Sequence, residues 1–513
     1  MKSTRLRDVL SGALAAGLAL GVSEMLAGII ARVPSLVESL GNWVIDNVPS
    51  SVKEWAIATF GTADKPILLA SIIVVTLLIG GAVGLVSRTR FWIAGAVFVV
   101  FGVVAAAAAS VDSDVSPGVA AIPAGAAVIA GLATLRMLYN VGAPKSGQPT
   151  RSTDTAKRDF LIGAGAVLGV AALAGTFGRV LLERAKRAVA GRDDVRLPGA
   201  AESLPPVPEE ANFEIEGLEE ILVPNDDFYR IDTALSVPRV DLQEWNLRIT
   251  GMVDRPYTID FSDLLDMRMV ERDVTLSCVS NQVGGGLVGN ARWLGVPLTE
   301  ILDRAGVQTG AEQIVGRSVD EFTVGFPVEA AYDGREALVA VGMNGEPLPF
   351  EHGFPARLVV AGLYGYVSAT KWLSEIELTT WDGFDAYWVP RGWSKEGPIK
   401  TQSRIDTPAQ SAQLPAGRQV VAGVAWAPTR GISKVEVQLG SDQPWVEAEL
   451  SEPLSESAWV QWRLDWDATT DGGHEIRCRA TDGAGNLQAE EVNPPAPDGA
   501  TGWHTRRVFV NSA

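Results

Sequence analysis

Long apolar runs dominate the first third of the chain, and short alternating runs dominate the rest. Four runs have close to the length of about 20 residues that a helix needs to cross a bilayer, and none contains a charged residue. They are Ile67–Val86, Phe91–Ala109, Val115–Leu135 and Phe160–Gly178. Val9–Ala31 is a fifth candidate, which Glu24 interrupts. We therefore predict a transmembrane region with about five helices over residues 1–187.

The basic residues of the short loops predict the orientation, because cytoplasmic loops carry an excess of Lys and Arg. Such residues precede the first run, separate the second from the third, and separate the fourth from the fifth. They include Lys2, Arg88, Arg136, Lys145 and Arg151. Five crossings then place everything after about Glu183 outside the cytoplasm, although the basic residues from Arg184 to Arg192 oppose this assignment.

The residues directly before the fifth run indicate an export route. Lys157-Arg158-Asp159-Phe160-Leu161 resembles a twin-arginine export signal with Lys in place of the first Arg. Such signals export proteins that are already folded. The alternative is that Lys157 and Arg158 only flank a span on its cytoplasmic side. No clear cleavage site follows before Arg179, so we expect the fifth helix to remain as an anchor.

The rest of the chain predicts a linker and two further domains. Residues 188–211 have the Pro and acidic content of an extended tether. Short strands such as Trp245–Ile249, helical pieces and frequent Gly and Pro predict an α+β domain over 212–405. Short alternating strands separated by turn clusters predict an immunoglobulin-like β-sandwich over 406–513.

Composition excludes some classes of function. A net charge of -18 argues against a nucleic-acid partner. The 2 Cys exclude a disulfide-rich scaffold but permit one bridge, between Cys278 and Cys478. Cys478 alternates with apolar residues and is otherwise expected in the sandwich core. None of the 3 His lies in a predicted span, so the spans cannot bind haem through paired His, and electrons would go to a separate partner.

Cys278 is the residue with the clearest chemical potential. Val274, Leu276 and Cys278 alternate with polar residues as in a half-buried strand, and Gly284–Gly286 then permits a close approach of the backbone. A thiolate at a strand end would be a good ligand for a soft metal. The alternative is a small side chain in the core.

Five segments resemble the sulfite oxidase family of molybdopterin enzymes, in the order found there. They are Arg230–Pro238, Leu276–Gln282, Ala291–Leu298, Met343–Val360 and Lys371–Leu378. The resemblance covers roughly the last three fifths of the chain. It implies a molybdenum–molybdopterin cofactor with Cys278 as the protein ligand to the metal, the family's mixed α+β catalytic fold, and a C-terminal domain that can pair two subunits in a homodimer.

The resemblance also implies residues that bind the cofactor. Arg230 corresponds to an arginine beside the metal that contacts substrate, and His352 and Arg357 correspond to residues that bind the pterin and its phosphate. The other candidates lie in the same loops: Asp227, Tyr229, Asp232, Ser318, Ser368 and Lys371. A polar cofactor with a phosphate needs converging cations and hydroxyls. Without the resemblance, each of these residues has an ordinary structural explanation.

Three departures from the family pattern concern the substrate. Val279–Val283 contains no cation, Phe322 takes the place of an active-site tyrosine, and Pro494–His504 contains no Lys or Arg. A doubly charged anion would then face only Arg230, and an uncompensated buried charge is costly. We therefore expect two-electron oxygen-atom transfer to or from a neutral or weakly charged molecule, such as a sulfoxide, rather than sulfite. Asn281, Gln282 and Arg230 are the expected polar contacts of that substrate.

Two other functions remain open at this stage. The chain could be a membrane-tethered binding or assembly protein that keeps the fold without catalysis. It could also be a transporter with a sensory outer domain, although the lack of charges inside the four clean spans weakens that hypothesis.

Overall fold

The computed structural model describes residues 2–30, 33–49, 52, 55–56, 59–60, 64–110, 117–141 and 153–511. The chain divides into two compact units. One consists of Met1–Val189 with Ala234–Ser236, and the other of Ala190–Thr233 with Val237–Ala513.

The first unit is helical. Its described helices are α1 (Lys2–Ile29), α2 (Leu36–Asn47), α3 (Asp64–Ser87), α4 (Phe91–Ala109), α5 (Pro117–Asn140) and α6 (Thr153–Ala190). In the described part of the chain, 5 helices are long and apolar enough to cross a membrane, and they coincide with the five predicted spans. Lys145 and Arg151, which support the predicted orientation, lie outside the described residues.

Helix α2 lies between the first and second predicted spans and was not predicted from the sequence. Ser35 caps the helix by accepting a hydrogen bond from the Glu38 amide. The helix is only 12 residues long, so it is too short to give the long apolar run by which a span is recognised.

Small residues let the helices of this unit approach closely. A β-carbon at Gly12 of α1 would lie 2.0 Å from the Gly80 carbonyl oxygen of α3. A β-carbon at Gly28 would lie 2.1 Å from the Gly178 carbonyl oxygen of α6. Contacts of this kind favour packing of helices in lipid, where van der Waals contact replaces the hydrophobic effect between helices.

Glu24 faces neighbouring helices rather than lipid. Its carboxylate accepts a hydrogen bond of 2.8 Å from the Ser35 hydroxyl and lies 3.4 Å from the Arg179 guanidinium. Arg179 also lies 3.4 Å from Glu38. The acidic interruption of the first span is therefore paired inside the helical unit, as ionisable residues at membrane depth usually are.

The second unit begins with two sheets that share one apolar core. In the first sheet the order is β2-β1-β10-β5-β6, with β1 parallel to β10; in the second it is β3-β4-β7-β8, with β9 paired to β7. The strands are β1 (Asn246–Gly251), β2 (Tyr257–Asp260), β3 (Val270–Ser277), β4 (Val288–Pro297), β5 (Gln313–Ser318), β6 (Thr323–Pro327), β7 (Ala337–Met343), β8 (Glu346–Pro347), β9 (Arg357–Val360) and β10 (Leu373–Thr379). The helices are α7 (Phe261–Leu265), α8 (Leu298–Ala305) and α9 (Gly365–Ser368). The predicted mixture of strands and short helices is thus found here.

The C-terminal part is a two-sheet β-sandwich. Its sheets have the orders β11-β13-β17-β16 and β12-β19-β18-β14-β15. The strands are β11 (Gln402–Thr407), β12 (Gln413–Pro415), β13 (Gly417–Trp426), β14 (Ile432–Leu439), β15 (Trp445–Glu447), β16 (Glu449–Leu450), β17 (Val460–Ala468), β18 (Gly472–Asp482) and β19 (His504–Asn511). Cys478 lies fully buried in the core between the sheets, as the alternation predicted. Cys278 and Cys478 are both free thiols, so the alternative of a bridge between them is not realised.

Residues 195–208, which form most of the predicted tether, lie between two short 3-10 helices, Arg192–Asp194 and Glu209–Ala211, and are bound along the second unit. Glu202 forms ion pairs with Arg268 and Arg272. The Arg292 guanidinium donates a 2.7 Å hydrogen bond to the Pro205 carbonyl. The acidic and Pro-rich composition thus gives an extended strap held by ion pairs, rather than a free tether.

Candidate cofactor site

Cys278 directly follows the last residue of β3. Its amide donates to the Leu287 carbonyl at 2.9 Å, which closes the base of the loop that follows the strand. Only 8% of the residue is exposed. Burial raises the pKa of the Cys278 thiol, and hydrogen bonds from Ser280 partly oppose this shift. A cation or a metal would be needed to hold this sulfur as a thiolate at neutral pH.

The loop before β1 brings an aromatic pair to the thiol. The Phe228 ring is buried and stacks on Tyr229 at 5.2 Å between centroids. It fits there because Gly289 has no side chain: a β-carbon at that position would lie 2.7 Å from the Phe228 ring. Burial raises the pKa of the Tyr229 phenol, the nearby Cys278 sulfur raises it further, and Arg357 opposes both. Tyr229 therefore lies near both the thiol and a buried cation.

His352 packs against Phe228, and Arg357 contacts the backbone of His352. The His352 ring lies 5.4 Å from the Phe228 ring, and its Nε2 is 2.9 Å from the Asn225 carbonyl oxygen. The Arg357 guanidinium donates a 3.0 Å hydrogen bond to the His352 carbonyl. Burial, assisted by Arg357, lowers the pKa of His352 to about 4, so the ring is neutral at pH 7 and Nε2–H donates to Asn225.

Arg357 is a buried cation without a carboxylate beside it. It is 5% exposed, and no carboxylate of the described residues lies within 4.0 Å of its guanidinium. Its guanidinium carbon lies 5.0 Å from the centre of the Trp293 ring. Burial lowers the pKa of Arg357 to about 10. An isolated buried charge is costly, so this position favours an anion supplied from outside the chain.

Lys371, Asp232 and Arg230 form a second charged group. Asp232 Oδ2 accepts hydrogen bonds from Lys371 Nζ at 2.9 Å and from Arg230 Nε at 2.8 Å. Burial lowers the pKa of Lys371 to about 8, against the opposing effect of Asp232. Lys371 and Arg357 both approach Gly353, since a β-carbon there would lie 3.0 Å from Lys371 and 3.1 Å from Arg357. The second charged group therefore lies next to Arg357. Two cations thus share one carboxylate beside the unpaired Arg357.

The remaining predicted residues differ in what their side chains contact. Ser318 is buried at the end of β5, and its hydroxyl accepts from the Asp320 amide at 3.3 Å. The Ser368 hydroxyl donates to carbonyls of its own turn, those of Leu363 and Tyr364. Asp227 is exposed. The structure therefore gathers Cys278, Tyr229, His352, Arg357, Lys371, Asp232, Arg230 and Ser318 around one region, whereas the Ser368 hydroxyl is used within α9.

Comparison with known proteins identifies this arrangement. A family model described as "Oxidoreductase molybdopterin binding domain" matches residues 234–388, a range that contains Cys278, Arg357 and Lys371. The mitochondrial sulfite oxidase of Rattus norvegicus is 27% identical over 341 residues, covering 57% of this chain and 61% of the relative. The sulfite oxidase of Arabidopsis thaliana is 28% identical over 355 residues, covering 57% of this chain and 86% of the relative. The chain therefore carries a molybdopterin-binding oxidoreductase domain similar to that of the sulfite oxidases.

The chain is also similar to a nitrate reductase and to one solved structure. The inducible NADH nitrate reductase 2 of Glycine max is 26% identical over 318 residues, covering 50% of this chain and 36% of that protein. The crystal structure of the sulfane dehydrogenase SoxCD from Paracoccus pantotrophus has a TM-score of 0.50 at 23% identity, covering 58% of this chain and 85% of that one. At this identity the likeness shows the fold alone. The chain spans about three fifths of the length of the mammalian sulfite oxidases that it matches.

The site fits the cofactor of the sulfite oxidase family. A molybdopterin carries a phosphate and offers a metal to a protein sulfur. The buried Arg357, with no carboxylate of the described residues beside it, supplies the cation that a phosphate needs, and Cys278 supplies the sulfur. His352 as a neutral ring and Lys371 as a partly compensated cation add polar groups in the same pocket.

Several contributors to the site were not predicted from the sequence. Asn225 orients His352, and Trp293 lies beneath the Arg357 guanidinium. Asp320 lies near Asp232 and Lys371, and burial raises the pKa of its carboxyl. A signal existed for Asn225 and Asp320, which stand in polar loop segments beside predicted site residues. No pattern in the sequence marks Trp293 as different from other core aromatics.

Two expected substrate contacts have other roles or surroundings. The Asn281 side chain is 9% exposed, and its Oδ1 accepts the Leu287 amide at 2.9 Å. This oxygen therefore helps to hold the loop together. Gln282 is exposed.

Proposed function

We propose that the protein is a membrane-anchored molybdenum oxidoreductase that transfers an oxygen atom in a two-electron reaction outside the cytoplasm. The observation that carries this proposal is that a buried thiol and a buried guanidinium without a carboxylate partner among the described residues both lie near Tyr229. Neither group is favourable alone, because burial disfavours the thiolate and the cation alike. An anionic cofactor that carries a metal would stabilise both.

Each residue of the site has a defined part in holding such a cofactor. Cys278 would bind the metal through its thiolate, and Arg357 would bind the phosphate. Lys371 would add a second cation, and Asp232 limits the net charge of the pocket and aims the ammonium. His352 stays neutral and donates to Asn225, which fixes the loop before Phe228. Asp227, Tyr229, Ser318 and Ser368 are proposed to complete the pocket wall.

When bound, the metal centre supplies the two-electron redox chemistry, and the protein supplies orientation and burial. Arg230 is 38% exposed in its side chain and hydrogen-bonded to Asp232, so it is the cation of this group that a substrate can reach. Its charge is already shared with Asp232, which weakens its attraction for a dianion.

The surroundings of Cys278 support a substrate of low charge. The loop from Val279 to Leu287 contains no Lys or Arg. Arg404 of the sandwich, which donates to the Gly285 carbonyl of this loop, lies 3.1 Å from Glu219 and also forms an ion pair with Asp406. A neutral oxygen-atom donor or acceptor, such as a sulfoxide, suits this environment better than sulfite.

A non-catalytic binding or assembly role is the second candidate. The absence of a cation in the loop after Cys278 is the observation that favours it. Against it, a protein that binds no metal or phosphate has no physical need for a buried thiol and a buried arginine that both lie near one tyrosine, with no carboxylate of the described residues beside the arginine. The electron partner, the pairing of two subunits through the sandwich, and its immunoglobulin-like topology belong to the proposal on the strength of the family resemblance.

Metal analysis tests the proposal directly. The full chain, purified in detergent from a host that makes the cofactor, should contain molybdenum near one atom per chain, and Cys278→Ala should lose or alter the electronic spectrum of the metal. Cys478→Ala is the matched control, since that thiol lies in the sandwich core. Wild-type protein without molybdenum would favour the non-catalytic role. Full oxidoreductase activity in metal-loaded Cys278→Ala would reject the role of the cysteine.

A further inference from the structure

The loop from Cys278 to Leu287 is closed at its base by its own hydrogen bonds. The Cys278 amide donates to the Leu287 carbonyl at 2.9 Å, and the Asn281 amide donates to the Cys278 carbonyl at 3.0 Å. The Leu287 amide donates to Asn281 Oδ1, also at 2.9 Å. These bonds hold the first residues of the loop, and at its tip, the glycine run Gly284–Gly286, the Gly285 amide donates to the Gln282 carbonyl at 2.8 Å.

The tip of the loop lies against the C-terminal sandwich. At Gly284, which has φ of +75°, a β-carbon would lie 2.3 Å from both Cδ2 and Nε2 of His504. The next residue, Gly285, accepts a 3.2 Å hydrogen bond through its carbonyl from the Arg404 guanidinium. Glycine is required at position 284 both for the left-handed backbone and for the approach of the ring.

Both sandwich residues are held rigidly. His504 Nδ1 accepts the Ile405 amide at 2.9 Å, which fixes the ring, and burial lowers the pKa of His504 to about 4. The ring is therefore neutral at pH 7 and does not add a charge near the thiol. Arg404 is 6% exposed in its side chain and is paired with Asp406 and Glu219. Neither residue can swing away without breaking buried contacts.

We propose that His504 and Arg404 are positioning residues, which hold the tip of the loop through Gly284 and Gly285 and thereby fix the direction of the Cys278 sulfur. A glycine-rich loop has few contacts of its own and would otherwise open locally. The sandwich thus contributes to the site of the α+β domain. We call the contacts of His504 with Gly284 and of Arg404 with Gly285 the clamp. The inference rests on the proposed function only where it takes Cys278 to be a metal ligand, because the clamp is formed by the chain alone.

The reactivity of Cys278 toward an alkylating reagent tests the clamp in metal-free, full-length protein in detergent. Alkylation of each cysteine is followed by mass spectrometry of its peptide. His504→Ala should raise the rate at Cys278 by about ten-fold or more, because local opening exposes the buried thiol. Cys478 serves as an internal control: it lies in the sandwich core, and its protection shows that the sandwich remains folded.

Glycine variants separate the clamp from general effects. Gly284→Ala should act like His504→Ala, whereas Gly286→Ala should leave the rate unchanged, because no atom lies within 4 Å of a β-carbon there. Gly334 has a φ of +91°, and no atom lies within 4 Å of a β-carbon there. Gly334→Ala therefore controls for the effect of backbone strain alone. The double variant Gly284→Ala with His504→Ala should react no faster than His504→Ala, since the ring that clashes is absent.

A conservative variant distinguishes positioning from a loss of bulk. His504→Asn retains an acceptor for the Ile405 amide and should restore protection of Cys278 in large part. Unchanged Cys278 reactivity in both His504→Ala and Gly284→Ala, with Cys478 protected, would overturn the inference. If His504→Ala exposes Cys478 as well, that variant has unfolded the sandwich. The Cys278 reactivity of Gly284→Ala and His504→Asn then decides whether the inference holds. A wild-type protein that lacks molybdenum but shows this pattern would refute the proposed function and leave the clamp standing.

Discussion

The ammonium of Lys371 lies 2.9 Å from the carboxylate of Asp232, and the two side chains are 10% and 2% exposed. The same carboxylate oxygen also accepts a hydrogen bond from Arg230. One negative charge therefore serves two cations, while Arg357 nearby has no carboxylate of the described residues within 4.0 Å. The pocket is left with an excess of positive charge that a phosphate-bearing cofactor would neutralise.

Asp232→Asn should destabilise the cofactor-free protein strongly. Removing one partner of a buried ion pair typically costs about 3–5 kcal/mol, because the other charge stays buried. The loss should be smaller in the cofactor-loaded protein, since the bound phosphate partly replaces the lost negative charge. Thermal unfolding of both forms in detergent measures this difference.

The matched control is Asp385→Asn. Asp385 is 58% exposed and pairs with Lys395, so its loss should change stability by no more than about 0.5 kcal/mol. Equal melting temperatures for Asp232→Asn and this control would show that the buried network contributes nothing.

Arg357→Met should have opposite effects on stability and on cofactor content. In the cofactor-free protein, the substitution removes an uncompensated buried charge, so stability should stay the same or rise. Retention of the cofactor should fall by about ten-fold or more, because a charge-assisted contact to phosphate is lost. Arg292→Met is the control, for which we expect a loss of stability instead. Arg292 pairs with the buried Asp273 at 2.8 Å, so its removal leaves that carboxylate without this partner and should destabilise the protein. A marked loss of stability in cofactor-free Arg357→Met would contradict the proposed role of the arginine.

How much of this site was predictable depends on the distance along the chain between its partners. The strand end at Cys278 follows from local alternation, and the apolar spans follow from length and charge alone. The contact between His352 and Asn225 joins residues 127 positions apart, and no local pattern signals it. The missing counter-ion of Arg357 and the contact of His504 with Gly284 likewise depend on the folded arrangement of several strands.

The buried neutral state of His352 predicts acid destabilisation. Its pKa is about 4 in the folded protein and 6.5 in an unperturbed chain, so the unfolded state binds a proton first as the pH falls. Stability is therefore complete above pH 6.5 and is lost progressively toward pH 4, by about 3 kcal/mol for this one residue.

His352→Gln should reduce the pH dependence over this window in cofactor-free protein, because the amide can still donate to Asn225 but does not titrate; the part that remains includes the contribution of His504, whose pKa burial also lowers to about 4. His474→Gln is the control, since that ring is partly exposed and bonded to the Thr470 carbonyl. The melting temperature is measured between pH 7 and pH 4. Parallel curves for wild type and His352→Gln would mean that His352 is not the residue responsible.

Arg158→Lys separates an export signal from a charge that merely flanks a span. The substitution keeps the positive charge ahead of the apolar run of α6, so topology set by charge alone should not change. A twin-arginine-type signal is read by residue identity, so the same variant should block export of the folded second unit and leave it in the cytoplasm. Protease digestion of intact spheroplasts, followed by detection of the C-terminal sandwich, reports its side. Lys157→Arg completes the pair of arginines, so this variant should be exported at least as well as the wild type. Arg90→Lys, directly before α4, is the control and should not change export. Export of Arg158→Lys at the wild-type level would refute the signal and leave Lys157 and Arg158 as flanking charges.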